Sequence, residues 1–506
     1  MTIVQRRGAL GVDVGSTLNL VGALLKYLGA AFLLPAAFAV GYGEPVWPFL
    51  AAAAVTAACG FLVERATHGK ERVGPREGFL VVALTWLVVP AFGALPYLFA
   101  DEAQLARPVD AYFEAMSGFT ATGATLLTDI EALDRSLAMW RQFTQWLGGM
   151  GIIILAVAVL PRLRVGGRQL LHSELAGPTE VERLTATIRE TARRLWVLYV
   201  ALTLTAIVVF TAYGWTGADP AMGLYEATAQ AFSTLAIGGF STQEESVAAF
   251  GAVTQWTIVV FLLLAGINFL RLYLALVRRR VQAVARDDEF RLDLAFAAAG
   301  SALLLVELLA GDLASGEEAV RDAVFQAVSI MTTAGFANTD YTAWSPLAEL
   351  TLLVLMFLGA SAGSTGGSIK VVRHLLMFRI IRRELEQTVH REVIVPVRLN
   401  AAVVEDPALR GVMTFIVLYI GLFALGALGL LVDAKRAALE VTSFESLGAA
   451  AACLGNVGPA FGFAGPFGSY EPFSDLSTGV LTGLMWLGRL EIIPVAVLLT
   501  RSYWRA

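Results

Sequence analysis

The segment VFQAVSIMTTAGFAN, residues 324–338, decides the fold that we predict for this chain. It begins with an aromatic–amide pair, continues through a short apolar run and ends in Thr332-Thr333-Ala334-Gly335-Phe336. A helix needs about 20 residues to cross a bilayer, so this segment is too short to span one. We interpret it as a re-entrant hairpin, in which half a helix enters the membrane and extended backbone leaves it again.

The same pattern occurs three more times, at intervals of roughly 100–120 residues, which indicates an internal repeat. The further copies pair YFEA with TATG (residues 112–115 and 120–123), LYEA with AIGGF (224–227 and 236–240), and SFES with NVGP (443–446 and 456–459). Glycine-rich kinks or turns between ordinary helices are the alternative. Four copies in one order favour the hairpins.

Such loops have a definite chemical use inside a membrane. Irregular backbone is tolerated there where it is buried in protein or lines a watery path. Four loops around one axis could turn carbonyl oxygens inward and replace the water shell of a monovalent cation. Glycine suits this position because it has no side chain and reaches backbone angles that other residues avoid. An acidic or amide residue early in each short helix lies at its positive end, and the negative end would face the cation.

The composition excludes several other classes of protein. Hydrophobic residues make up 57% of the 506 residues and charged residues 16%, against about 25% charged in typical globular chains. Cys59 and Cys453 are isolated in apolar surroundings, so neither a disulfide framework nor a thiolate metal site is predicted. With four histidines and no His-Glu-x-x-His motif, zinc chemistry is not indicated. Nucleic-acid binding is not indicated, since the basic residues lie in short loops beside membrane helices.

The predicted fold class is an all-α integral membrane protein with four pseudo-symmetric helix–re-entrant P-loop–helix repeats around a central pore, plus an N-terminal helix pair. The pair lies in residues 1–77, with helices at 18–42 and 47–63, and the repeats lie in residues 78–162, 163–282, 283–392 and 393–506. Their full-length helices are expected at 79–99 and 139–160, 196–213 and 254–277, 292–309 and 347–378, and 411–432 and 478–500. This gives about ten full spans and four half-spans. Lys26 in the first helix either snorkels to the interface or faces a neighbouring helix.

The distribution of Lys and Arg predicts the orientation. With a cytoplasmic N-terminus, the inside segments are 65–76, 162–194, 278–291, 370–410 and the C-terminal tail. Together with the N-terminus they hold about 28 of the 37 basic residues. All four re-entrant loops then lie on the outer side. The outer segments are rich in Asp and Glu, which either concentrate cations at the mouth of a pore or are ordinary solvated loop charge.

A second unusual stretch interrupts the helix at 347–378. It is GASAGSTGGS, residues 359–368, and its candidate gate residues are Gly359, Ala362, Gly363, Ser364, Thr365, Gly366, Gly367 and Ser368. Glycine and serine at this density disfavour a continuous helix. The stretch lacks the Gly-Lys-[Ser/Thr] ending of a phosphate-binding loop, and no strand precedes it. It is either a movable plug below the four loops or a static kink.

Arg489 in the last helix is the third unusual feature, because an arginine inside the membrane needs a polar partner. It could form a charge barrier in the pore, pair with Glu491, or bind backbone carbonyls of the broken segment. The run QWLGGMG, residues 145–151, is expected to serve close helix packing through its small residues.

These motifs together resemble the TrkH/TrkG family of bacterial Trk potassium uptake subunits, within the superfamily that also contains KtrB and plant HKT proteins. The resemblance covers nearly the whole chain and includes the extra N-terminal helix pair. It implies K⁺ as the permeant ion with no organic cofactor, a homodimer in the bacterial inner membrane, and cytosolic TrkA-type nucleotide-binding regulatory subunits.

By this resemblance, the family's selectivity filter, gating loop and pore arginine map onto numbered residues here. The filter residues are Ala121, Thr122 and Gly123; Ala236, Ile237 and Gly238; Thr333, Ala334 and Gly335; and Asn456, Val457 and Gly458. The gating loop maps onto residues 359–368 and the pore arginine onto Arg489. Ile237 and Val457 depart from Thr122, so the number of ion sites stays open. Glycine in all four loops accompanies K⁺ preference in this superfamily.

The sequence therefore predicts channel-like K⁺ uptake, with the basic segments 162–194 and 370–410 as candidate docking surfaces for the regulatory subunits. The alternative within transport is a Na⁺-selective or H⁺-coupled symporter, although no Asp or Glu lies at a filter position. A membrane-embedded enzyme would need paired carboxylates or clustered histidines near one membrane face, and the outer carboxylates are scattered. A sensor that binds ions without conducting them is a further alternative.

Overall fold

The computed structural model describes residues 12–67, 74–100, 102–158, 188–400 and 402–505. Nearly all of its ordered elements are helices, and in these ranges the strands are one two-residue antiparallel pair, β1 (Arg398–Leu399) with β2 (Ala402–Val403). The predicted all-α fold class is confirmed. Predictions that concern residues 1–11, 68–73 and 159–187, including most of the basic segment 162–194 and the boundary at residue 162, lie outside the described residues.

An N-terminal hairpin precedes the repeats. Its helices are α1 (Val14–Ala31), α2 (Leu33–Tyr42) and α3 (Trp47–Ala66). The two arms touch backbone to backbone, since a Cβ on Gly60 would lie 2.6 Å from the carbonyl oxygen of Gly22. Lys26 forms an ion pair with Glu64 of α3, so it faces the neighbouring helix.

Four units follow, each made of a first helix, a short helix, an extended segment and a second helix. The first helices are α4 (Pro75–Gly93) with its continuation α5 (Leu95–Phe99), α8 (Ile188–Thr216), α13 (Asp288–Ala310) and α17 (Asp406–Arg436). The short helices are α6 (Pro108–Phe119), α9 (Leu224–Ala236), α14 (Gly316–Thr332) and α18 (Ser443–Gly455).

The second helices are less regular than the first. They are α7 (Arg135–Ala158), α10 (Ala252–Gly266) with α11 (Phe269–Leu276), α15 (Pro346–Leu355) with α16 (Val371–Val389), and α19 (Asp475–Arg489) with α20 (Ile493–Leu498). Two short helices, α12 (Gln282–Ala285) and α21 (Arg501–Trp504), and three single-turn 3₁₀ segments complete the described chain.

Six helical segments of the described chain are long and apolar enough to cross a membrane. They are both arms of the N-terminal hairpin and the first helix of each unit: Val14–Tyr42, Trp47–Ala66, Arg76–Phe99, Glu190–Thr216, Asp288–Ala310 and Asp406–Arg436. The ten full spans expected from the sequence are therefore not all regular helices. The difference lies in the second helices, which are broken or carry buried polar side chains.

The second helices of three units are interrupted. The break after α15 was predicted, but the continuous helices expected at 254–277 and 478–500 were wrong. The axes of α10 and α11 meet at 109°, and Asn268 caps the new helix by accepting N–H groups of Leu270 and Arg271. After α19 the backbone turns through Glu491 and Ile492, which have φ of 57° and 59°.

The short helices form the centre of the molecule. Every residue of their C-terminal halves is buried, including 113–119 in α6 and 448–455 in α18. First and second helices pack around them. The carboxyl ends of the four short helices therefore point to one small region, and the predicted site residues lie there.

Candidate functional site

The chain leaves each short helix through the same backbone conformation. A residue with left-handed φ comes first, a second residue follows, and a glycine with positive φ ends the turn. We call these segments the ring triplets: residues 121–123, 237–239, 333–335 and 456–458. The first residues have φ of 50°, 54°, 72° and 55°, and the glycines have φ of 87°, 81°, 73° and 104°.

One hydrogen bond fixes the common register. The N–H of the middle residue donates to the carbonyl five residues earlier in every triplet. The pairs are Thr122 to Ser117 (2.8 Å), Gly238 to Ser233 (3.0 Å), Ala334 to Ser329 (2.8 Å) and Val457 to Ala452 (2.8 Å). The four triplets are therefore structurally equivalent.

The second triplet corrects the predicted residue set by one position. The sequence placed Ala236, Ile237 and Gly238 in the filter, but Ala236 is the last residue of α9. The counterpart of Gly123 is Gly239, which has the positive φ. The tandem glycines at 238 and 239 explain the error, because the sequence alone offers both as the closing residue.

The same register also shifts part of the repeat motif. Counting back from the triplets, Glu114 corresponds to Gln230, Gln326 and Ala449. Glu226 and Glu445, which the sequence motif matches to Glu114, lie one helical turn earlier. The sequence pattern detected the repeat but misaligned two of its four helices.

The triplets close into a ring, because each glycine lies against the middle carbonyl of the next triplet. A Cβ would lie 2.4 Å from Gly238 O if added to Gly123, 2.1 Å from Ala334 O if added to Gly239, 1.8 Å from Val457 O if added to Gly335, and 2.5 Å from Thr122 O if added to Gly458. No Cβ fits at these distances. Glycine is thus required both by its φ and by the approach of the neighbouring loop.

Side chains make the ring less symmetric than its backbone. Gln145 of α7 donates from Nε2 to Gly238 O at 2.5 Å and accepts from the Ser233 hydroxyl at 2.6 Å. Asn456 donates from Nδ2 to Thr122 Oγ1 at 3.0 Å, which joins the fourth triplet to the first. Gln145 belongs to a run that the sequence assigned to helix packing alone.

The extended segments beyond the ring are held by the residues equivalent to Glu114. Glu114 accepts the Thr125 hydroxyl and the Leu126 N–H, Gln230 donates to Ser241 at 3.0 Å, and Gln326 donates to Asn338 at 3.1 Å. The fourth unit has Ala449 at this position, and its segment is held by tyrosines instead. Tyr341 donates to Ala460 O at 3.1 Å and Tyr470 to Gly458 O at 2.6 Å.

A buried ion pair between α6 and α7 stabilises the extended segments next to the ring. Arg141 donates from Nε to Glu114 Oε1 at 2.8 Å, with side-chain exposures of 1% and 0%. Arg141 also donates to Ser241 O at 3.2 Å and lies 3.9 Å from the Phe240 ring centroid, which links the first and second units. Arg141 was not among the residues predicted for the site. Its helical spacing from Gln145 (i, i+4) was the available signal that both face inward.

A cavity of ≈ 270 Å³ lies directly on the ring, on the side of the extended segments. Gly123, Gly239 and Gly335 form part of its lining, together with Arg141 and Glu244. Partial desolvation is the main cause that raises the pKa of Glu244. The nearby carboxylates of Asp129, Glu131 and Glu245 raise it further. Carboxylates therefore cluster at the rim of this cavity.

The opposite side of the ring is closed by residues 356–370, which we call the inner loop. It connects α15 to α16 without helical structure. Thr365 donates to Leu235 O at 3.2 Å, and Cβ atoms on Gly366 and Gly367 would lie 2.7 Å from Thr332 O and 2.4 Å from Gly455 O. The inner loop thus contacts the carboxyl ends of three short helices. At the fourth, a Cβ on Gly148 of α7 would lie 1.9 Å from Phe119 O.

The other candidate gate residues shape this loop. Gly359 and Gly363 have φ of 67° and 73°, and Ser368 has φ of 56°. The Ser364 hydroxyl donates to Ser361 O at 2.6 Å, and the Ser368 hydroxyl donates to Met356 O at 2.6 Å. Gly367 N donates to Thr333 Oγ1 at 2.7 Å, a direct bond between the inner loop and the ring. Ala362 is held by two side chains described below.

Arg489 bridges the inner loop and α7. It donates to Thr365 O at 2.9 Å and to Gly148 O at 3.1 Å, with 2% of the residue exposed. Glu491 pairs with Arg373 instead. Of the partners predicted for Arg489, the structure thus has a backbone carbonyl of the broken segment and not Glu491.

These features define an α-helical membrane protein of the pore-loop type, in which four re-entrant loops meet in one ring. The family model described as "TrkH: Cation transport protein" matches residues 48–505. The chain belongs to the TrkH family of cation transport proteins.

Individual relatives are similar along nearly their full length. The Trk system potassium uptake protein TrkH of Halomonas elongata is 36% identical over 96% of this chain and 98% of its own. The protein of that name from Escherichia coli K12 is 35% identical over 86% of this chain and 87% of its own length. The crystal structure of the potassium transporter TrkH from Vibrio parahaemolyticus superposes with a TM-score of 0.86 at 33% identity, covering 98% of this chain and 100% of that one.

We expect Glu114→Ala to destabilise the protein by roughly 3–5 kcal/mol, because it leaves the Arg141 charge buried without its partner. Thermal unfolding of the purified protein in detergent measures this change. Glu245→Ala, which removes an exposed carboxylate, is the matched control. Equal melting temperatures for the two variants would show that the buried pair does not support the ring.

Proposed function

We propose that this chain carries K⁺ into the cell across the bacterial inner membrane through the ring, in a channel-like manner. The observation that carries this proposal is the closure of four glycine triplets at the carboxyl ends of four buried short helices. The relatives named as potassium uptake proteins support K⁺ as the substrate.

The helix ends supply favourable electrostatics for a cation. Each short helix contributes roughly half a negative charge at its carboxyl end, and all four ends lie at the ring. Backbone carbonyls of the triplets would replace water around the dehydrated ion. Because Gln145 already binds Gly238 O, this position would contribute less to an ion site than its three counterparts. We therefore infer fewer well-formed sites than four identical loops would give.

The rim carboxylates favour entry from the cavity side. Asp129, Glu131 and Glu244 place negative charge around a mouth that opens onto the ring. Such a field raises the local cation concentration. With the N-terminus cytoplasmic, this mouth faces outward.

The inner loop is the proposed gate. It lies against three short helices, and Arg489 adds a positive charge at the same level. A cation leaving the ring would meet both. Opening would require the loop to withdraw and Arg489 to release Thr365 O.

Regulation would come from the cytoplasmic side. We propose a homodimer that binds cytosolic TrkA-type nucleotide-binding subunits, and the relatives' names, which assign them to a Trk system, support a multi-component assembly. The basic segments 162–194 and 370–410 are the proposed docking surfaces. In the second of these, α16 presents Arg382 with 82% of its side chain exposed.

The transport proposal predicts that the chain restores growth of a K⁺-uptake-deficient bacterium at low K⁺ and carries Rb⁺ in preference to Na⁺ in liposomes. Gly335→Ser should lose this preference, because its side chain would collide with Val457 O at the ring. Gly421→Ser is the matched control, since nothing lies within 4 Å of the added Cβ. Equal Rb⁺ and Na⁺ fluxes through the unaltered protein would contradict the proposal of K⁺ uptake. They would favour a transporter that also carries Na⁺.

The gate proposal predicts that deletion of residues 362–367 raises basal Rb⁺ flux in liposomes without the regulatory subunits, because the deletion removes contacts below three short helices. Size-exclusion chromatography confirms that the deleted protein is folded. Unchanged flux through the folded deletion protein would argue that the loop is a static kink.

A further inference from the structure

The inner loop is paired with the break between α10 and α11. Ser361 N donates to Gly266 O at 3.1 Å, and Phe269 N donates to Gly363 O at 3.2 Å. Between these bonds, Asn268 Nδ2 donates to Ala362 O at 2.7 Å. Three consecutive residues of the inner loop are thus hydrogen-bonded to three of the four residues, 266–269, at which the second unit changes direction.

The backbone of Ala362 is hydrogen-bonded by two buried side chains, Asn268 and Glu289. Its carbonyl accepts from Asn268, and its N–H donates to Glu289 Oε1 of α13 at 2.6 Å. The same carboxylate oxygen accepts the N–H of Val372 at 3.2 Å, in the first turn of α16, which follows the inner loop. Asn268 and Glu289 are 4% and 1% exposed. Water therefore offers little replacement for either bond.

The backbone is shaped for this contact. Gly363 has φ of 73°, and a Cβ on it would lie 2.9 Å from Asn268 Nδ2. Another residue at this position would push the amide away from Ala362. The glycine is explained by the approach of Asn268.

Helix α11 connects the hydrogen bonds at Ala362 to the exposed surface. Asn268 caps its first turn, and its last residue, Leu276, is exposed, as residues 277–280 are. Arg271 of α11 forms an ion pair with Asp287, the residue that caps α13 two positions before Glu289. The capped helix, the ion pair and the carboxylate form one connected body around Ala362.

We propose that Asn268 and Glu289 are positioning residues of the gate and that α11 is the arm through which a displacement at the cytoplasmic side moves the inner loop. This inference rests on the proposed gating role of the loop. A helix end that redirects the chain is a common hinge. Here the hinge bonds directly to the segment that must move.

The test uses Rb⁺ flux through the full chain in liposomes without regulatory subunits. Asn268→Ser keeps an N-cap residue for α11 but is too short to reach Ala362 O. We expect it to raise basal flux roughly five- to hundredfold, the factor by which losing one partner of a buried hydrogen bond shifts an equilibrium. Asn19→Ser, which removes an amide donor to Glu64 O in the N-terminal hairpin, is the matched control.

Glu289 provides a second pair of variants. Glu289→Gln keeps a carbonyl oxygen that can accept from Ala362 and Val372, whereas Glu289→Ala keeps no acceptor. The alanine variant should raise basal flux more than the glutamine variant. Equal increases would mean that the charge of Glu289, and not its hydrogen bonds to Ala362 and Val372, holds the basal flux low.

Combining Asn268→Ser with the deletion of residues 362–367 separates this inference from the gate proposal. If Asn268 acts through the loop, the substitution adds nothing in the deleted protein. A further increase there, or wild-type flux in the single variant while the deletion raises flux, overturns the inference and leaves the gate intact. A deletion without effect overturns both.

Discussion

Contact between each ring glycine and the next triplet's carbonyl oxygen is the constraint on which the remaining structure depends. The four contacts run in one direction around the ring, from Gly123 through Gly239 and Gly335 to Gly458 and back to Thr122. A larger residue at any of these positions would open the circle. The short helices must then converge on one level, and the outer helices can only pack around them.

Irregular backbone inside a membrane needs its polar groups satisfied by the protein, and the structure meets this need with buried side chains. Arg141 and Glu114 hold the first extended segment, Gln145 holds the second triplet, and Arg489 binds carbonyls of the inner loop and α7. These side chains come from α6, α7 and α19, which are not among the six helical segments of the described chain that are long and apolar enough to cross a membrane. Their polarity is the counterpart of the loops that they support.

The second helices explain why the two sides of the ring differ. In the first unit α7 is continuous, and it carries Arg141, Gln145 and Gly148 along one face. In the other units the helix breaks just below the ring, at residues 267–268, 356–370 and 490–492. Two of these breaks are hydrogen-bonded to each other through Asn268 and Ala362. The fourfold plan of the backbone thus carries an unequal set of connections on its inner side.

The sequence by itself determined the class of fold, because apolar runs of membrane length and repeated glycine motifs are local signals. It also located the break at 359–368, where glycine and serine disfavour helix. It could not fix the register of the second triplet, since Gly238 and Gly239 differ only in the backbone bonds that the fold gives them. Nor could it show the break at Asn268, which lies in an apolar run and is stabilised by contacts with α11 and the distant Ala362. Arg141 and Glu114 are 27 positions apart, and only the packing of α6 against α7 brings their charges together.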